Sequence, residues 1–283
     1  MKKTCTKTCV IALLLAIIMT PAAATSQRMT PTHYLDENKS GYEAYQAANP
    51  EIPYNIIVAY VNAKTDKPYY SEIETVANPT SISVYLSKNY ALPYGYEPDD
   101  LVTLPGGEML RAEAAEAYSR MKEAATSEGL TLAARSSYRS HGSQIASYEL
   151  VASNYGIEGA EASVARAGHS EHETGLALDI LHKHGTTGPL TGQGFDTSEE
   201  YVWLLENGYK YGFILRYPEK YVHIHGYVYE PWHWRYVGLN IAMAMRREGI
   251  TTFDEYYGKY LAPGVIMKSR ISRAAQSYTT YAQ

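Results

Sequence analysis

Two short stretches of the chain contain side chains that are suited to metal chemistry. Residues 170–179 read SEHETGLALD, and residues 230–233 read EPWH. A catalytic zinc ion takes three N, S or O ligands from the protein and keeps a fourth position for water. His172, Asp179 and His233 form such a set, and Glu230, three positions before a ligand, could take the water's proton as a general base. The pattern predicts a catalytic zinc site with its own base.

The spacing of these residues is compatible with one site. Residues 176–181 read as an apolar strand in which Asp179 faces the opposite side from its two apolar neighbours. A carboxylate on such a strand is costly unless it is paired or bound to metal. Gly175 allows the chain to turn between His172 and this strand, and a second strand at 233–237 carries His233. The alternative is that the histidine and the aspartate are ordinary polar residues of the surface.

Three motifs together resemble the VanY-type D-alanyl-D-alanine carboxypeptidases, which belong with the lysostaphin and hedgehog domains to one group of zinc peptidases. The motifs are Ser-x-His-x-x-Gly-x-Ala-x-Asp at 170–179, Glu-Pro-Trp-His-x-Arg-Tyr-Val-Gly at 230–238 and Tyr-Arg-Ser-x-x-x-Gln at 138–144. The resemblance runs from about Leu86 to Tyr260. It implies removal of the terminal D-alanine from peptidoglycan stem peptides, with one Zn²⁺ per chain. The implied ligands are His172, Asp179 and His233, and the implied base is Glu230.

The motif around Arg139 implies a substrate-binding role. A carboxypeptidase must recognise a free terminal carboxylate and stabilise the oxyanion that develops at the attacked carbonyl, and a planar guanidinium suits either task. By resemblance Arg139 performs one or both, while Gln144 and Ser170 donate hydrogen bonds near the substrate backbone. The alternative for Arg139 is a surface ion pair.

Other functions remain open from the residues alone. An L,D-carboxypeptidase that trims tetrapeptide stems would use the same site chemistry. An endopeptidase that cuts cross-bridges would need a cleft open at both ends, and Arg139 as a carboxylate clamp argues against it. A non-catalytic wall-binding module would be expected to lose a ligand or the base, whereas this chain keeps all four side chains.

Four further histidines lie near the motifs but are left out of the predicted ligand set. His223 and His225 would share one face if their segment is a strand. They could line the cleft, bind a second ion weakly or face solvent, and solvent exposure is favoured. His182 and His184 follow Asp179 at the same alternate spacing and precede a Gly-Thr-Thr-Gly-Pro loop.

The first 24 residues have the pattern of a secretory signal peptide. They contain three lysines, an apolar run from Val10 to Met19, Pro21 and the small residues Ala22-Ala23-Ala24. The apolar run is too short to span a bilayer comfortably, so membrane attachment is expected only if the signal stays uncleaved. Both cysteines, Cys5 and Cys9, lie within this segment, so the mature chain needs no disulfide. We expect a secreted protein associated with the cell envelope.

Net charge bears on the possible partners. The formal charge of −5 falls to about −8 without residues 1–24, because these contain three lysines and no acid. Electrostatic attraction to nucleic acid or to anionic wall polymers is therefore not expected. The expected partner is the stem peptide itself, bound in the cleft of a monomer.

The order of elements predicts an α+β fold. We expect a central, mainly antiparallel sheet that carries the zinc site, flanked by helices, with a small N-terminal β extension. The predicted segments are a signal peptide (1–24), an extension with a possible β-hairpin around Ile56–Val61 (25–85), the catalytic domain (86–263) and a flexible tail (264–283). Helices are predicted at 108–128, 143–154, 197–207 and 239–248, and a strand at 130–134 leads to Arg139.

Overall fold

The computed structural model describes residues 30–181 and 194–264. The predicted signal peptide, the stretch with His182 and His184, and the predicted tail beyond Gly264 lie outside the described residues. Among the helices of the described part, none has both the length and the apolar character that a membrane crossing requires.

The described residues form short strands and longer helices. The strands are β1 (Glu74–Thr75), β2 (Tyr90–Ala91), β3 (Leu101–Thr103), β4 (Met109–Arg111), β5 (Ala133–Ser136), β6 (Ala177–Leu181), β7 (Phe213–Leu215) and β8 (His233–Tyr236). The α-helices are α1 (Lys39–Ala48), α2 (Tyr54–Asn62), α3 (Ala112–Ser127), α4 (His141–Ser163), α5 (Glu199–Asn207), α6 (Val222–His225), α7 (Leu239–Glu248) and α8 (Phe253–Tyr256).

A four-stranded antiparallel sheet lies at the centre, in the order β5-β6-β8-β7. Its two middle strands carry Asp179 and His233. Every residue of β6 is buried except Asp179, which is partly exposed. The predicted α+β fold with a central antiparallel sheet and flanking helices is confirmed.

Helix α3 covers one face of this sheet. Its buried residues lie on one face, where positions three or four apart are neighbours: Ala114, Ala115, Ala117, Tyr118, Met121 and Ala125. They share one apolar cluster with side chains of the sheet, including Leu178, Ile180, Phe213 and Trp234. This packing holds the middle strands, and therefore the site residues on them, in a rigid frame.

The predicted N-terminal β-hairpin is wrong, because residues 54–62 form helix α2. Their apolar run is continuous rather than alternating, and such a run does not distinguish a buried strand from a buried helix. The run is buried on all sides: α2 packs on α1 and on the C-terminal segments Phe253–Tyr256 and Tyr257–Leu261. The β structure in this extension is the two-residue strand β1, which pairs in parallel with β2.

The predicted helices occur with shifted boundaries. The helix predicted at 108–128 begins at Ala112, because residues 109–111 form β4, which pairs with β3 as a hairpin. Helix α4 starts after the N-cap Ser140, whose side chain accepts the Ser143 N–H, and runs to Ser163 with a break at Gly156. Helix α7 has the predicted limits.

Candidate active site

The three candidate metal ligands come from two strands and one turn. Asp179 and His233 are directly opposite each other in the β6–β8 register. His172 lies on a single 3-10 turn that ends at Gly175, whose φ of 65° is left-handed. A side chain at Gly175 would also collide with neighbouring residues, since a Cβ there would be 2.9 Å from the Leu101 Cδ2 atom. The glycine thus lets the chain turn closely from His172 into β6.

The distances between these side chains fit a tetrahedral zinc ion. Asp179 Oδ1 lies 3.5 Å from His172 Nε2 and 3.4 Å from His233 Nδ1, and the candidate ligand atoms all lie within 4.8 Å of one another. Two ligands that are each about 2.1 Å from a tetrahedral ion are about 3.4 Å apart. Asp179 Oδ1 is also buried without a hydrogen-bond partner in the described part of the chain. Two imidazole nitrogens and an unpartnered carboxylate oxygen form a donor set that suits Zn²⁺.

Both histidines have a hydrogen-bond partner on the ring nitrogen that faces away from the aspartate. His172 Nδ1 lies 2.7 Å from the carbonyl oxygen of Ser137, which leaves Nε2 free to bind a metal. Burial, together with Arg139, lowers the pKa of His172 to about 4, so this ring is neutral at pH 7. Burial alone would lower the pKa of His233 too, but the neighbouring carboxylates of Asp179 and Glu171 raise it to about 9.

Sequence reasoning missed Glu171, the partner of His233. Glu171 Oε2 lies 3.4 Å from His233 Nε2. Glu171 Oε1 accepts bonds from Arg216 Nε at 2.9 Å and from Arg235 Nη1 at 2.8 Å. Burial would raise the pKa of the Glu171 carboxyl, but Arg235 and Arg216 hold it well below its usual range. The available signal was Arg235 on an apolar strand, because a buried guanidinium needs an acidic partner.

Glu230 precedes β8 and lies beside the same histidine. Its Oε2 atom is 3.7 Å from His233 Nδ1. Its backbone N–H donates to the carbonyl oxygen of Tyr217, which fixes the start of this loop. Burial raises the pKa of the Glu230 carboxyl to about 7, even though His233 opposes the rise. A carboxylate with this pKa can both accept and return a proton near neutral pH.

The substrate-binding residues that the sequence predicted line the same cleft, which has a volume of about 330 Å³. Arg139 Nη1 donates to Gln144 Oε1 at 2.9 Å, and Gln144 Nε2 donates to the carbonyl oxygen of Ala165 at 2.7 Å. Gln144 therefore orients Arg139. The Arg139 Nε–H is buried without an acceptor in the described residues. Ser170 is buried at the start of the His172 turn. The structure thus gathers the predicted site residues in one place, and their individual roles stay predictions.

The segment around His223 and His225 is a helix and not a strand. Residues 222–225 form the short helix α6, which ends at Gly226 with a left-handed φ of 77°. His223 is exposed, as favoured, whereas His225 is buried. His225 Nε2 lies 3.1 Å from the Pro218 carbonyl oxygen, and its Nδ1 accepts the Tyr227 N–H. The two rings do not share a face because a helix replaces the strand's alternation.

Comparison with known proteins identifies the family of the chain. Residues 107–239 match the family described as VanY: D-alanyl-D-alanine carboxypeptidase. YodJ of Bacillus subtilis (strain 168) is 41% identical over 197 residues, which cover 66% of this chain and 71% of YodJ.

Two solved structures have the same fold. The LdcB LD-carboxypeptidase aligns with a TM-score of 0.60 and 38% identity, over 67% of this chain and 91% of LdcB. A mutant of the vancomycin resistance D,D-pentapeptidase VanY from a VanB-type cassette, in complex with Zn(II), aligns with a TM-score of 0.54 and 29% identity, over 62% of this chain and 98% of that chain. The fold is therefore that of the carboxypeptidases of this family. The chain belongs to the VanY family of D-alanyl-D-alanine carboxypeptidases.

Proposed function

We propose that this protein is a zinc-dependent D,D-carboxypeptidase that removes the terminal D-alanine from peptidoglycan stem peptides. The observation that carries this proposal is the position of Asp179 Oδ1, buried and unpartnered in the described residues between the nitrogens of His172 and His233. Glu230 and Arg139 line the same cleft, so a metal site, a base and a cation for the substrate occur together.

His172, Asp179 and His233 would hold the ion. When bound, Zn²⁺ supplies Lewis-acid chemistry, because it lowers the pKa of water and polarises a carbonyl group. Glu171 and the Ser137 carbonyl oxygen keep the two imidazole rings oriented from behind.

Glu230 is the proposed general base. Its carboxylate takes a proton from the attacking water at Oε2, the oxygen that lies nearest His233. It then passes this proton to the amine of the departing D-alanine. The raised pKa of about 7 suits both steps, since a carboxylate with an ordinary pKa would be a weaker base and would take the proton from water less readily.

Arg139 is the proposed clamp for the free terminal carboxylate. A guanidinium binds a carboxylate through charge-assisted hydrogen bonds with a defined geometry. The bond with Gln144 holds the guanidinium in place before the substrate binds, which reduces the entropy lost on binding. Ser170, at the start of the His172 turn, is the further candidate donor to the substrate.

An L,D-carboxypeptidase that acts on tetrapeptide stems is the second candidate. It is favoured by the similarity to the LdcB LD-carboxypeptidase, at 38% identity. The ligands, the base and the clamp would serve both reactions, because both release a terminal D-alanine and differ in the residue before the scissile bond.

The pattern of residues 1–24 supports a further proposal, that the protein is secreted and acts at the cell envelope. Amino-terminal sequencing of the protein from the culture medium or the envelope fraction tests it. A mature chain that begins at Thr25 is expected, and a cytoplasmic protein that starts at Met1 would contradict the proposal.

The proposed activity is tested with two peptides and mass spectrometry. The mature protein is incubated with a pentapeptide that ends in D-Ala-D-Ala and, separately, with the tetrapeptide that ends in one D-Ala, each with and without a chelator. Loss of one alanine from the pentapeptide, abolished by the chelator and restored by zinc, is expected. Cleavage of the tetrapeptide alone would favour the L,D activity, and cleavage of neither would contradict both.

A further inference from the structure

Arg135 lies in the cleft wall at an irregularity of the central sheet. In the β5–β6 ladder Ala134 is opposite Ile180 and Ser136 is opposite Asp179, so Arg135 is an additional residue without a partner position on β6. A bulge of this kind changes the direction of a side chain and often occurs beside an active site. Here it places an exposed arginine in the wall of the cleft that contains the candidate metal ligands.

The described part of the chain provides no counter-charge for Arg135. Among the described residues, no carboxylate oxygen lies within 4.0 Å of the Arg135 guanidinium. Arg111, Arg166 and Arg216, in contrast, each form an ion pair with an acidic side chain. The three stretches outside the described part, residues 1–29, 182–193 and 265–283, contain no Asp or Glu in their sequence. The acidic side chains that line the cleft, Glu171, Asp179 and Glu230, belong to the metal centre.

Arg139, the other arginine of the cleft wall, also has no carboxylate partner among the described residues, but its guanidinium donates to the amide oxygen of Gln144. The cleft therefore has one guanidinium held in place and a second one free to meet a ligand. A cation without a partner, in a cleft that binds peptides, is suited to an acidic group of the peptide.

We propose that Arg135 binds a second carboxylate of the substrate, on the acyl side of the scissile bond. The inference rests on the proposed function, in which Arg139 takes the terminal carboxylate of the leaving D-alanine. Because that residue has no other carboxylate, a second one must belong to the part of the peptide before the scissile bond. Two groups of a stem peptide qualify, the α-carboxylate of a γ-linked glutamate and the side-chain carboxylate of a diaminopimelate at the third position.

Four pentapeptides that end in D-Ala-D-Ala distinguish which of these two carboxylates Arg135 binds. One has both carboxylates, one has the glutamate α-amide, one has lysine in place of diaminopimelate, and one has both changes. Values of kcat and KM are measured for the wild type, Arg135→Gln, Arg135→Lys and the control Arg247→Gln, which changes an exposed arginine of α7.

The expected result is a rise in KM for Arg135→Gln. Arg135→Gln should lower kcat/KM about tenfold more for peptides that have the carboxylate bound by Arg135 than for the peptide that has neither the glutamate α-carboxylate nor the diaminopimelate carboxylate. Arg135→Lys should recover part of this difference, because it restores the charge. An equal loss on all four peptides would overturn the proposal and make Arg135 a second clamp for the terminal carboxylate. Unchanged kinetics would also overturn it and leave Arg135 as a solubilising charge on an edge strand.

A binding measurement distinguishes failure of this proposal from failure of the proposed function. Calorimetric titration of the four peptides into Glu230→Gln protein, with and without the Arg135→Gln change, does not depend on turnover. If no peptide is hydrolysed by the wild type, the proposed function fails. Tighter binding of the peptides that have the second carboxylate would still support the role of Arg135, provided that this difference disappears when Arg135→Gln is added. Affinity that ignores the carboxylate would refute it.

Discussion

Glu171 Oε2 lies 3.4 Å from His233 Nε2, the imidazole nitrogen on the other side of the ring from the one that faces Asp179. Glu171 is completely surrounded by protein and accepts bonds from Arg216 and Arg235. The buried carboxylate thus connects one candidate ligand to a rigid group of charges. When Nδ1 gives up its proton to bind a metal, Glu171 favours the form of the ring that keeps its other proton on Nε2.

Replacement of Glu171 by Gln should weaken zinc binding. The amide holds the His233 ring less well than the carboxylate, and loss of such an outer partner typically lowers metal affinity about 10–100-fold. Zinc affinity is measured by competition with a chromophoric chelator, at a temperature where both proteins are folded. Glu173→Gln is the control, because Glu173 lies on the same turn but bonds to His141 and the Gly168 N–H. Equal zinc affinities of wild type and Glu171→Gln would contradict the orienting role.

Replacement of Glu230 by Gln should abolish turnover and leave the metal bound. Removal of a general base lowers kcat about 10²–10⁴-fold, and the amide cannot accept the proton of the water. The measurements are kcat on the preferred peptide and zinc content by elemental analysis. Glu219→Gln, at an exposed position of the preceding segment, should behave as wild type. A Glu230→Gln protein with wild-type turnover would remove Glu230 from the proposed role.

His225 should make the protein less stable as the pH falls below 6.5. Burial lowers its pKa from 6.5 to about 4, so between these pH values the unfolded chain binds a proton that the folded protein does not. The free energy of unfolding therefore decreases as the pH falls through this window, by up to about 1.4 kcal/mol per pH unit. Protonation would also remove the hydrogen bond in which the Nδ1 lone pair accepts the Tyr227 N–H.

Urea unfolding at several pH values from 7 to 4 tests this dependence. His225→Gln should show a shallower decrease than wild type, whereas the exposed His223 serves as the control, and His223→Gln should keep the wild-type slope. The other buried histidines contribute equally to the pH dependence of all three proteins. If the free energy of unfolding therefore decreases with the same slope in all three, the prediction is refuted.

Gly258→Ala should destabilise the protein by disturbing the contact between helix α2 and the segment that contains Gly258. A Cβ at Gly258 would overlap the carbonyl group of Ala59 in α2, and the Gly258 carbonyl oxygen accepts a bond from Asn62 Nδ2 at 3.0 Å. Such overpacking typically costs about 1–3 kcal/mol, measured as the loss in the free energy of unfolding. Gly142→Ala is the control, because a Cβ there meets no atom within 4 Å. Equal stabilities of the two variants would contradict this packing.

The sequence alone determined which side chains could form the site and much of the surrounding fold. The motifs at 170–179 and 230–238 placed two histidines, an aspartate and a glutamate on or beside apolar strands, and a polar residue within an apolar strand is a local signal. Helices α3 and α7 were also predictable from local signals, namely the periodicity of their apolar residues and the glycines that follow their last turns. The metal, the base and the clamp remain predictions that the experiments above test.

The tertiary structure alone decided the features that depend on residues distant in sequence. The run Ile56–Val61 became a helix because neighbours far along the chain cover it on all sides, which a local pattern cannot reveal. Glu171 meets Arg216 and Arg235 only after β8 pairs with β6, and Arg135 enters the cleft only through a bulge in the β5–β6 register. The physical reason is common to all three: burial and charge pairing depend on which strands and helices become neighbours, and that is a property of the packed chain.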